Sequence, residues 1–205
     1  MLRGIPILAA FVLAGCSVIT DVDDLFIALD GGGGDSDSDS DSDGDTDALE
    51  CDPSVEDWDD QWAWEESDLL AELNEFRESG TSCGTQGYFG PTSPLEMEYH
   101  LQCAARVHAR WLADHNTTGH DSPGGPLGDT PGERVDNAGY DGTYAGESLT
   151  YSTSEAWQVA EAMASTDEHC ARFMDPDTNH AGMGYVYDNT TTQYTFWVMV
   201  FGQGD

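Results

Sequence analysis

The sequence predicts a domain of mixed α and β structure in which helices come first and a pair of strands comes last. Three segments after residue 66 have apolar residues at helical spacing, and two apolar runs, 182–187 and 194–201, lie near the carboxyl end. No glycine-rich phosphate loop is present, which argues against a Rossmann unit. This order of elements indicates helices packed on a sheet.

The helices are predicted from their apolar faces and from residues that cap them. Ser67 is a candidate cap for a first helix from about Asp68 to Ser79. A second helix is expected from about Glu96 to Ala113, a third from near Ser154, and a short helical turn from His169. The two apolar runs at the end flank the turn-forming residues 188–190, so they are predicted to form a hairpin.

The amino-terminal residues have the layout of a secretory signal peptide. A positive charge at Arg3 precedes an apolar run from Ile5 to Leu13 that is too short to span a bilayer. Small residues then lead to Cys16, which resembles a bacterial lipobox, so residues 1–15 are predicted to be removed and Cys16 to carry lipid. By resemblance to Gram-negative lipoproteins, the serine after Cys16 favours the outer membrane. The less favoured alternative is an ordinary signal peptide with an incidental cysteine.

Residues 16–66 are predicted to form a disordered acidic tether. Four glycines at 31–34 precede alternating aspartate and serine, and such a chain has little apolar surface to bury and repels itself. Residues 39–50 also match the calcium loop of an EF-hand, with candidate ligands Asp39, Asp41, Asp43, Asp45 and Glu50. A solvated linker is favoured over a folded Ca²⁺ site, because an Asp-Ser repeat produces this match easily.

Residues 67–205 have the size of one domain with a single core. The whole chain has six arginines, no lysine and forty acidic residues, and its formal net charge is −34. Such a surface repels nucleic acid and anionic head groups and attracts cations. Nucleic acid is therefore excluded as a partner. A monomer is expected, because no oligomerisation signal stands out.

Four cysteines lie beyond Cys16, at positions 51, 83, 103 and 170. An even number in an exported protein suggests two disulfides, and the sequence leaves three pairings open. Cys170 lies beside His169, so a cysteine nucleophile is a less favoured alternative.

His120, Glu147 and His169 carry the chemistry that the sequence offers. Imidazoles and carboxylates are the groups most often used to bind divalent metals or to move protons near neutral pH. The three residues are separated by 27 and 22 positions, so only the fold could bring them together. His108 lies on the apolar face of the second helix and is interpreted as a hydrogen-bonded core histidine.

Seven short motifs occur in a fixed order between residues 67 and 202. They are Leu70, Asn74 and Arg77; Leu101, Ala104, Ala105 and His108 with Leu112; His120 and Arg134; Gly139-Tyr140; Gly146-Glu147; His169; and Gly182-Met183-Gly184 with Phe201-Gly202. In this order they resemble the CAP superfamily, also called SCP or pathogenesis-related-1-like, in its bacterial form. The resemblance implies a three-layer α-β-α sandwich with a cleft lined by His120, Glu147 and His169.

The sequence departs from the family pattern at several places. Ser148 replaces the asparagine of G-E-N, residues 166–168 replace S-P-G, and Met163 stands where many members have tryptophan. Eukaryotic relatives have a further histidine near the position of Phe196, so their four-residue His/Glu/Glu/His site cannot be transferred whole. Glu168 is a candidate second carboxylate, although neighbouring residues of a helical turn point about 100° apart.

These observations leave several functions open. The favoured expectation is a non-enzymatic lipoprotein that binds a metal or another ligand, with zinc on His120 and His169 and Glu147 orienting an imidazole or a water. A small molecule, a lipid or another envelope component is the other expected partner. The alternative is a metal-assisted hydrolase of peptide or ester bonds with Glu147 as base. In the simplest interpretation, the three residues only join loops through buried hydrogen bonds.

Overall fold

The computed structural model describes residues 51–205. The signal peptide, Cys16 and the candidate calcium loop lie outside the described residues. The elements are, in order, α1 (Asp60–Ser79), β1 (Thr81–Ser82), β2 (Tyr88–Phe89), β3 (Glu96–Met97), α2 (Tyr99–Asp114), α3 (Pro131–Ala138), β4 (Thr143–Tyr151), α4 (Ala156–Ala164), α5 (Asp167–Met174), β5 (His180–Tyr187) and β6 (Thr195–Gln203). No helix within residues 51–205 is long and apolar enough to cross a membrane.

A four-stranded sheet in the order β3-β5-β6-β4 forms the middle layer. β3 pairs with β5 in parallel, whereas β5, β6 and β4 pair antiparallel. Helices α2 and α3 cover one face of the sheet, and α1, α4 and α5 cover the other. The predicted three-layer sandwich and its terminal hairpin, β5 and β6, are therefore confirmed.

The two faces of the sheet supply two apolar cores. Side chains that alternate along β5 and β6 pack on α1, α4 and α5 in one core and on α2 in the other. Gly182 and Gly184 lie so close to α2 that a Cβ atom at either position would overlap the backbone at Leu101 or Ala105. The late G-x-G pattern therefore allows α2 to approach the sheet closely.

Helix α1 begins eight residues earlier than the sequence predicts. Asp59, not Ser67, caps it, because the Asp59 Oδ1 atom accepts hydrogen bonds from the backbone N–H groups of Gln61 at 2.8 Å and Trp62 at 3.3 Å. The prediction that residues 16–66 are a disordered tether is wrong for residues 51–66, which belong to the folded unit. Residues 16–50 of that tether lie outside the described part of the chain.

Glu66, which the sequence assigns to the tether, is fully buried between the two helical layers. Its carboxylate accepts hydrogen bonds from the Arg106 guanidinium, the Trp58 indole at 2.9 Å and the Tyr185 backbone N–H at 3.0 Å. A buried carboxylate needs this number of partners to offset its lost hydration. Glu66 therefore joins helix α1 to helix α2 and to strand β5.

Two disulfides join distant parts of the domain, as the cysteine count predicts. Cys51 is bonded to Cys103 in α2, and Cys83 is bonded to Cys170 in α5. Because Cys170 is oxidised, it is not available as a nucleophile. Each bridge closes a loop of more than fifty residues and so restricts the unfolded chain strongly.

Helix α3 and strand β4 were not predicted from the sequence, and α2 begins three residues later than expected. Thr130 and Glu133 form a capping box at the start of α3, with Pro131 at its first position. Glu98 caps α2 through the Leu101 N–H, so residues 96 and 97 are free to form β3. The capping box of α3 was present in the sequence, but the apolar pattern beside it is short. The start of α2 was misplaced because glutamate is not a usual N-cap residue.

Candidate functional site

Three separate elements position the residues that the sequence selected. His120 follows the turn after α2, Glu147 lies in β4 at the edge of the sheet, and His169 lies in the first turn of α5. The structure brings His120 and Glu147 into direct contact. Among residues 51–205, it shows no hydrogen bond from the His169 side chain to either of them.

The carboxylate of Glu147 fixes the imidazole of His120. Nδ1 of His120 lies 2.8 Å from Oε1 of Glu147. Since a carboxylate only accepts, Nδ1 must donate, and the lone pair of a neutral imidazole is then on Nε2. The His120 side chain is 53% exposed, whereas that of Glu147 is 1% exposed. A buried anion therefore presents the Nε2 atom of an exposed ring to solvent.

Arg134 in α3 neutralises the buried carboxylate. Its Nη2 atom lies 2.9 Å from Oε2 of Glu147 and 2.9 Å from the backbone oxygen of His120. Its Nη1 atom donates to the Ser122 hydroxyl at 2.7 Å. The guanidinium thus holds both the carboxylate and the loop that carries the imidazole. Arg134 was noted in the sequence as a family motif residue, but its place in the site was not predicted.

His108 is a buried neighbour of this pair, and its interpretation as a hydrogen-bonded core histidine is confirmed. Its Nε2 atom donates to the backbone oxygen of Gly119 at 2.9 Å and lies 3.9 Å from Oε1 of Glu147. Burial lowers the pKa of His108 from 6.5 to about 4, although the charge of Glu147 acts in the opposite direction. His108 is therefore neutral at neutral pH and supports the loop before His120.

Arg172 in α5 reaches the same strand from the other helical layer. Its Nη1 atom donates to the backbone oxygen of Glu147 and to the Ser148 hydroxyl, both at 2.9 Å. Gly146 makes this approach possible, because a Cβ atom there would overlap the Arg172 side chain, and its φ of +135° disfavours other residues. Arg172 was not among the predicted site residues, although its i, i+3 spacing from His169 was a usable signal.

His169 is half-buried on the same helix as Arg172. Burial lowers its pKa, and the charge of Arg172 and the nearby His120 lower it further, whereas Glu168 acts in the opposite direction. Glu168 itself is exposed. His169 is therefore linked to His120 only by an electrostatic effect, since within residues 51–205 its side chain makes no hydrogen bond to His120 or Glu147.

Comparison with known proteins gives the family. Residues 70–201 match the family model described as CAP, the cysteine-rich secretory protein family. The chain belongs to the CAP family. No curated protein sequence matches the chain significantly.

Two solved bacterial structures have the same fold as this CAP domain. An extracellular protein of Bacillus anthracis with an SCP domain is 18% identical with a TM-score of 0.52, over 71% of this chain and 43% of that one. An outer surface protein of Borrelia burgdorferi is 21% identical with a TM-score of 0.53, over 69% of this chain and 94% of that one. The match thus spans less than half of the first of these proteins. At such identities, the likeness concerns the fold.

The CAP motif residues of helix α1 have structural roles here. Arg77 is fully buried and donates to backbone oxygens of Ser93, Phe173 and Thr178. The Asn74 side chain is bonded to both the backbone N–H and the backbone oxygen of Leu95. These contacts join α1 to the segment before β3 and to the end of α5. They therefore belong to the fold and not to the site.

The arrangement of donor atoms at the site limits which residues could bind a metal ion. Within residues 51–205, no group of three or more histidine, cysteine, aspartate and glutamate side chains is arranged to hold a metal ion. Both oxygens of Glu147 are already bonded, so it fits the role of a group that orients an imidazole and not that of a ligand. Any metal here would have to bind through the histidines.

Proposed function

We propose that this CAP protein is an extracytoplasmic binding module whose ligand is contacted by Nε2 of His120. The observation that carries the proposal is the contrast between an exposed imidazole and the buried carboxylate that bonds its Nδ1 atom. Burying the Glu147–Arg134 ion pair beneath the exposed His120 ring costs desolvation free energy. A hydrogen bond that only joined two loops would not require this cost. The buried ion pair does fix the ring for an incoming group.

Zinc is the second candidate ligand, with His120 and His169 as its proposed protein ligands. The orientation of His120 supports it, because metal-binding imidazoles commonly donate their other N–H to a carboxylate. Two protein ligands make a weak and open site. Zinc would supply a Lewis acid there, while Glu147 and Arg134 would hold the ring in place.

In the alternative proposal, a metal-assisted hydrolase of peptide or ester bonds, the observed geometry changes the roles expected of Glu147 and His120. Glu147 is occupied on both oxygens, so it suits orientation, and His120 would be the general base. Hydrolysis of peptides or esters that disappears in Glu147→Gln would favour this enzyme over the binding module.

We propose that the protein is located in the cell envelope, where its domain is exposed to an oxidising environment. The two disulfides support a position outside the cytoplasm, where such bonds persist. Lipid on Cys16 is the proposed anchor, with residues 16–50 as the acidic tether. The outer membrane and the calcium loop within that tether, with Asp39, Asp41, Asp43, Asp45 and Glu50 as its ligands, stay predictions from the sequence.

Calorimetric titration of Zn²⁺ into the metal-stripped full chain tests which ligand the site takes. The acidic segments bind cations loosely, so the native chain is compared with His120→Ala/His169→Ala and with the control His100→Ala/His115→Ala. A site of about micromolar affinity, near −8 kcal/mol, that is lost only in the first variant would establish zinc. Coinciding curves would exclude it.

The proposal of a binding module for a ligand other than zinc is tested by mass spectrometry of the small molecules and lipids that the purified chain retains. The proposal expects a retained molecule that is depleted in His120→Ala and not in His115→Ala. Equal retention by both variants would contradict the contact at His120.

A further inference from the structure

The two disulfides differ in how deeply they are buried. Cys83 and Cys170 are both fully buried, and they lie in the core between the sheet and helices α1, α4 and α5. Cys103 is 5% exposed, and its partner Cys51 is partly exposed. The Cys51–Cys103 bridge thus lies at the surface of the domain, whereas the other bridge belongs to the core.

A recess in the surface gives access to the Cys51–Cys103 bridge. It has a volume of about 370 Å³, and both cysteines line it, together with Val55, Glu56 and Arg106 among other residues. A water molecule takes about 30 Å³ of liquid volume, so a small organic compound fits the recess. Because charged side chains of both signs line it, an uncharged compound is a suitable probe.

Other contacts hold the fold together around this bridge. Val55 packs in a small apolar cluster with Cys103 and Val107. The Trp58 indole donates a hydrogen bond to the Glu66 carboxylate at 2.9 Å, and Glu66 in turn joins α1 to α2 and β5. These contacts are made without the sulfur atoms, so the domain should stay folded when the bridge is opened.

The bridge lies where the chain enters the domain. Cys51 precedes helix α1, which begins at Asp60, and the bridge attaches this entry to Cys103 in α2. The acidic residues 16–50 come directly before it in the sequence. Opening the bridge therefore releases the covalent attachment of this entry to α2 while the Cys83–Cys170 bridge still holds α5.

We propose that the Cys51–Cys103 bridge is a thiol–disulfide exchange site that reacts with thiols of low molecular mass, whereas the Cys83–Cys170 bridge is structural. Exposed disulfides are the ones that exchange readily, since the rate depends on access to the sulfur that is attacked. This inference is independent of the ligand contact proposed for His120.

The exchange takes place in two steps. The thiolate of the incoming compound attacks Sγ of Cys51, the more exposed sulfur, and forms a mixed disulfide while the Cys51–Cys103 bond breaks and Cys103 leaves as a thiolate. A second thiolate then attacks the sulfur of the bound compound and releases Cys51. Two thiols are oxidised to one disulfide, one protein disulfide is reduced, and the two protons of the thiols pass to the two cysteines.

Reduction of the folded full chain by 2-mercaptoethanol tests the inference. Free thiols are trapped at intervals with iodoacetamide, and peptide mass spectrometry assigns each label to its cysteine. We expect Cys51 and Cys103 to be labelled about tenfold or more faster than Cys83 and Cys170, because only the first bridge is accessible in the folded chain. Equal rates, or faster reduction of the Cys83–Cys170 bridge, would overturn the inference.

Urea at concentrations below the unfolding transition distinguishes direct access from reduction after unfolding. The rate of reduction at Cys51–Cys103 should stay unchanged, whereas the rate at Cys83–Cys170 should rise as urea populates the unfolded chain. Rates that rise in parallel for both bridges would show that neither is reduced in the folded state, which contradicts the exchange site.

Two variants test whether the recess is the route of access. Glu56→Trp and its control Asp57→Trp each replace one exposed carboxylate by an indole, but only residue 56 lines the recess. Glu56→Trp should slow the reduction of Cys51–Cys103 severalfold, because the larger side chain narrows the recess, and Asp57→Trp should react like the native chain. Native rates in both variants would refute the recess as the route.

The variant Cys51→Ser/Cys103→Ser tests whether the open state stays folded. It should keep a cooperative unfolding transition in tryptophan fluorescence, and its Cys83–Cys170 bridge should resist 2-mercaptoethanol as it does in the native chain. A variant that does not fold, or whose second bridge is reduced at once, would contradict an exchange that leaves the domain intact.

Discussion

Replacing Arg134 by methionine tests the buried charge pair under His120. The change removes the partner of a Glu147 carboxylate whose side chain is 1% exposed, and it also removes the bond to the His120 backbone. Breaking a buried ion pair by removing one partner costs about 3–5 kcal/mol, because an uncompensated charge stays in the interior. We expect a loss of this size in the free energy of unfolding.

Urea unfolding followed by tryptophan fluorescence measures this loss. Arg110→Met is the matched control, since Arg110 forms no ion pair within residues 51–205 and lies over the Trp58 and Trp62 rings. It should cost about 1 kcal/mol or less. Removing both charges in Arg134→Met/Glu147→Gln should restore part of the stability lost in Arg134→Met. A loss in Arg134→Met no larger than in Arg110→Met would refute the reasoning.

Three further predictions concern the surroundings of the site. Burial lowers the pKa of His108 to about 4 in the folded chain. Below pH 6.5 the unfolded chain therefore binds a proton that the folded chain does not. The free energy of unfolding should fall by about 3 kcal/mol between pH 6.5 and pH 4. Urea midpoints across this range should show a smaller loss in His108→Gln, and equal slopes would contradict the assignment. Gly146→Ala should lower the free energy of unfolding, measured by thermal unfolding, by about 1–3 kcal/mol, because of the positive φ of Gly146 and the close Arg172 side chain. Gly132→Ala is the control, since a Cβ atom added at Gly132 would contact no other part of the described residues within 4 Å. Cys83→Ala/Cys170→Ala should lose about 4 kcal/mol in urea unfolding, since the bridge spans 87 residues, and unchanged stability would contradict a constraining role for it.

The helices and the terminal hairpin were predictable because their apolar periodicity is strong. β5 and β6 follow the two apolar runs, and α2 contains the predicted inward face with His108. The start of α1 was not predicted, because three of the residues 60–66 are acidic and the segment was assigned to the tether, although Trp62 and Trp64 distinguish it from the Gly/Asp/Ser repeat. Glu66 was missed for the same reason, since its burial depends on Arg106, forty residues away.

The candidate site was predictable only in part. The contact between His120 and Glu147 was expected from the resemblance to a family, but no local pattern supplies it. Arg134 and Arg172 reach Glu147 from opposite helical layers, across 13 and 25 residues. Their roles depend on long-range packing, so the charge of the site could not be read from the sequence around each residue.

Glu147 holds His120 through Nδ1 and leaves Nε2 for a ligand. The most direct test is the imidazole ¹⁵N NMR spectrum of His120 in the full chain, at a pH where the ring is neutral. We expect the tautomer with the proton on Nδ1, and a shift towards the other tautomer in Glu147→Gln. A native His120 with its proton on Nε2 would contradict it.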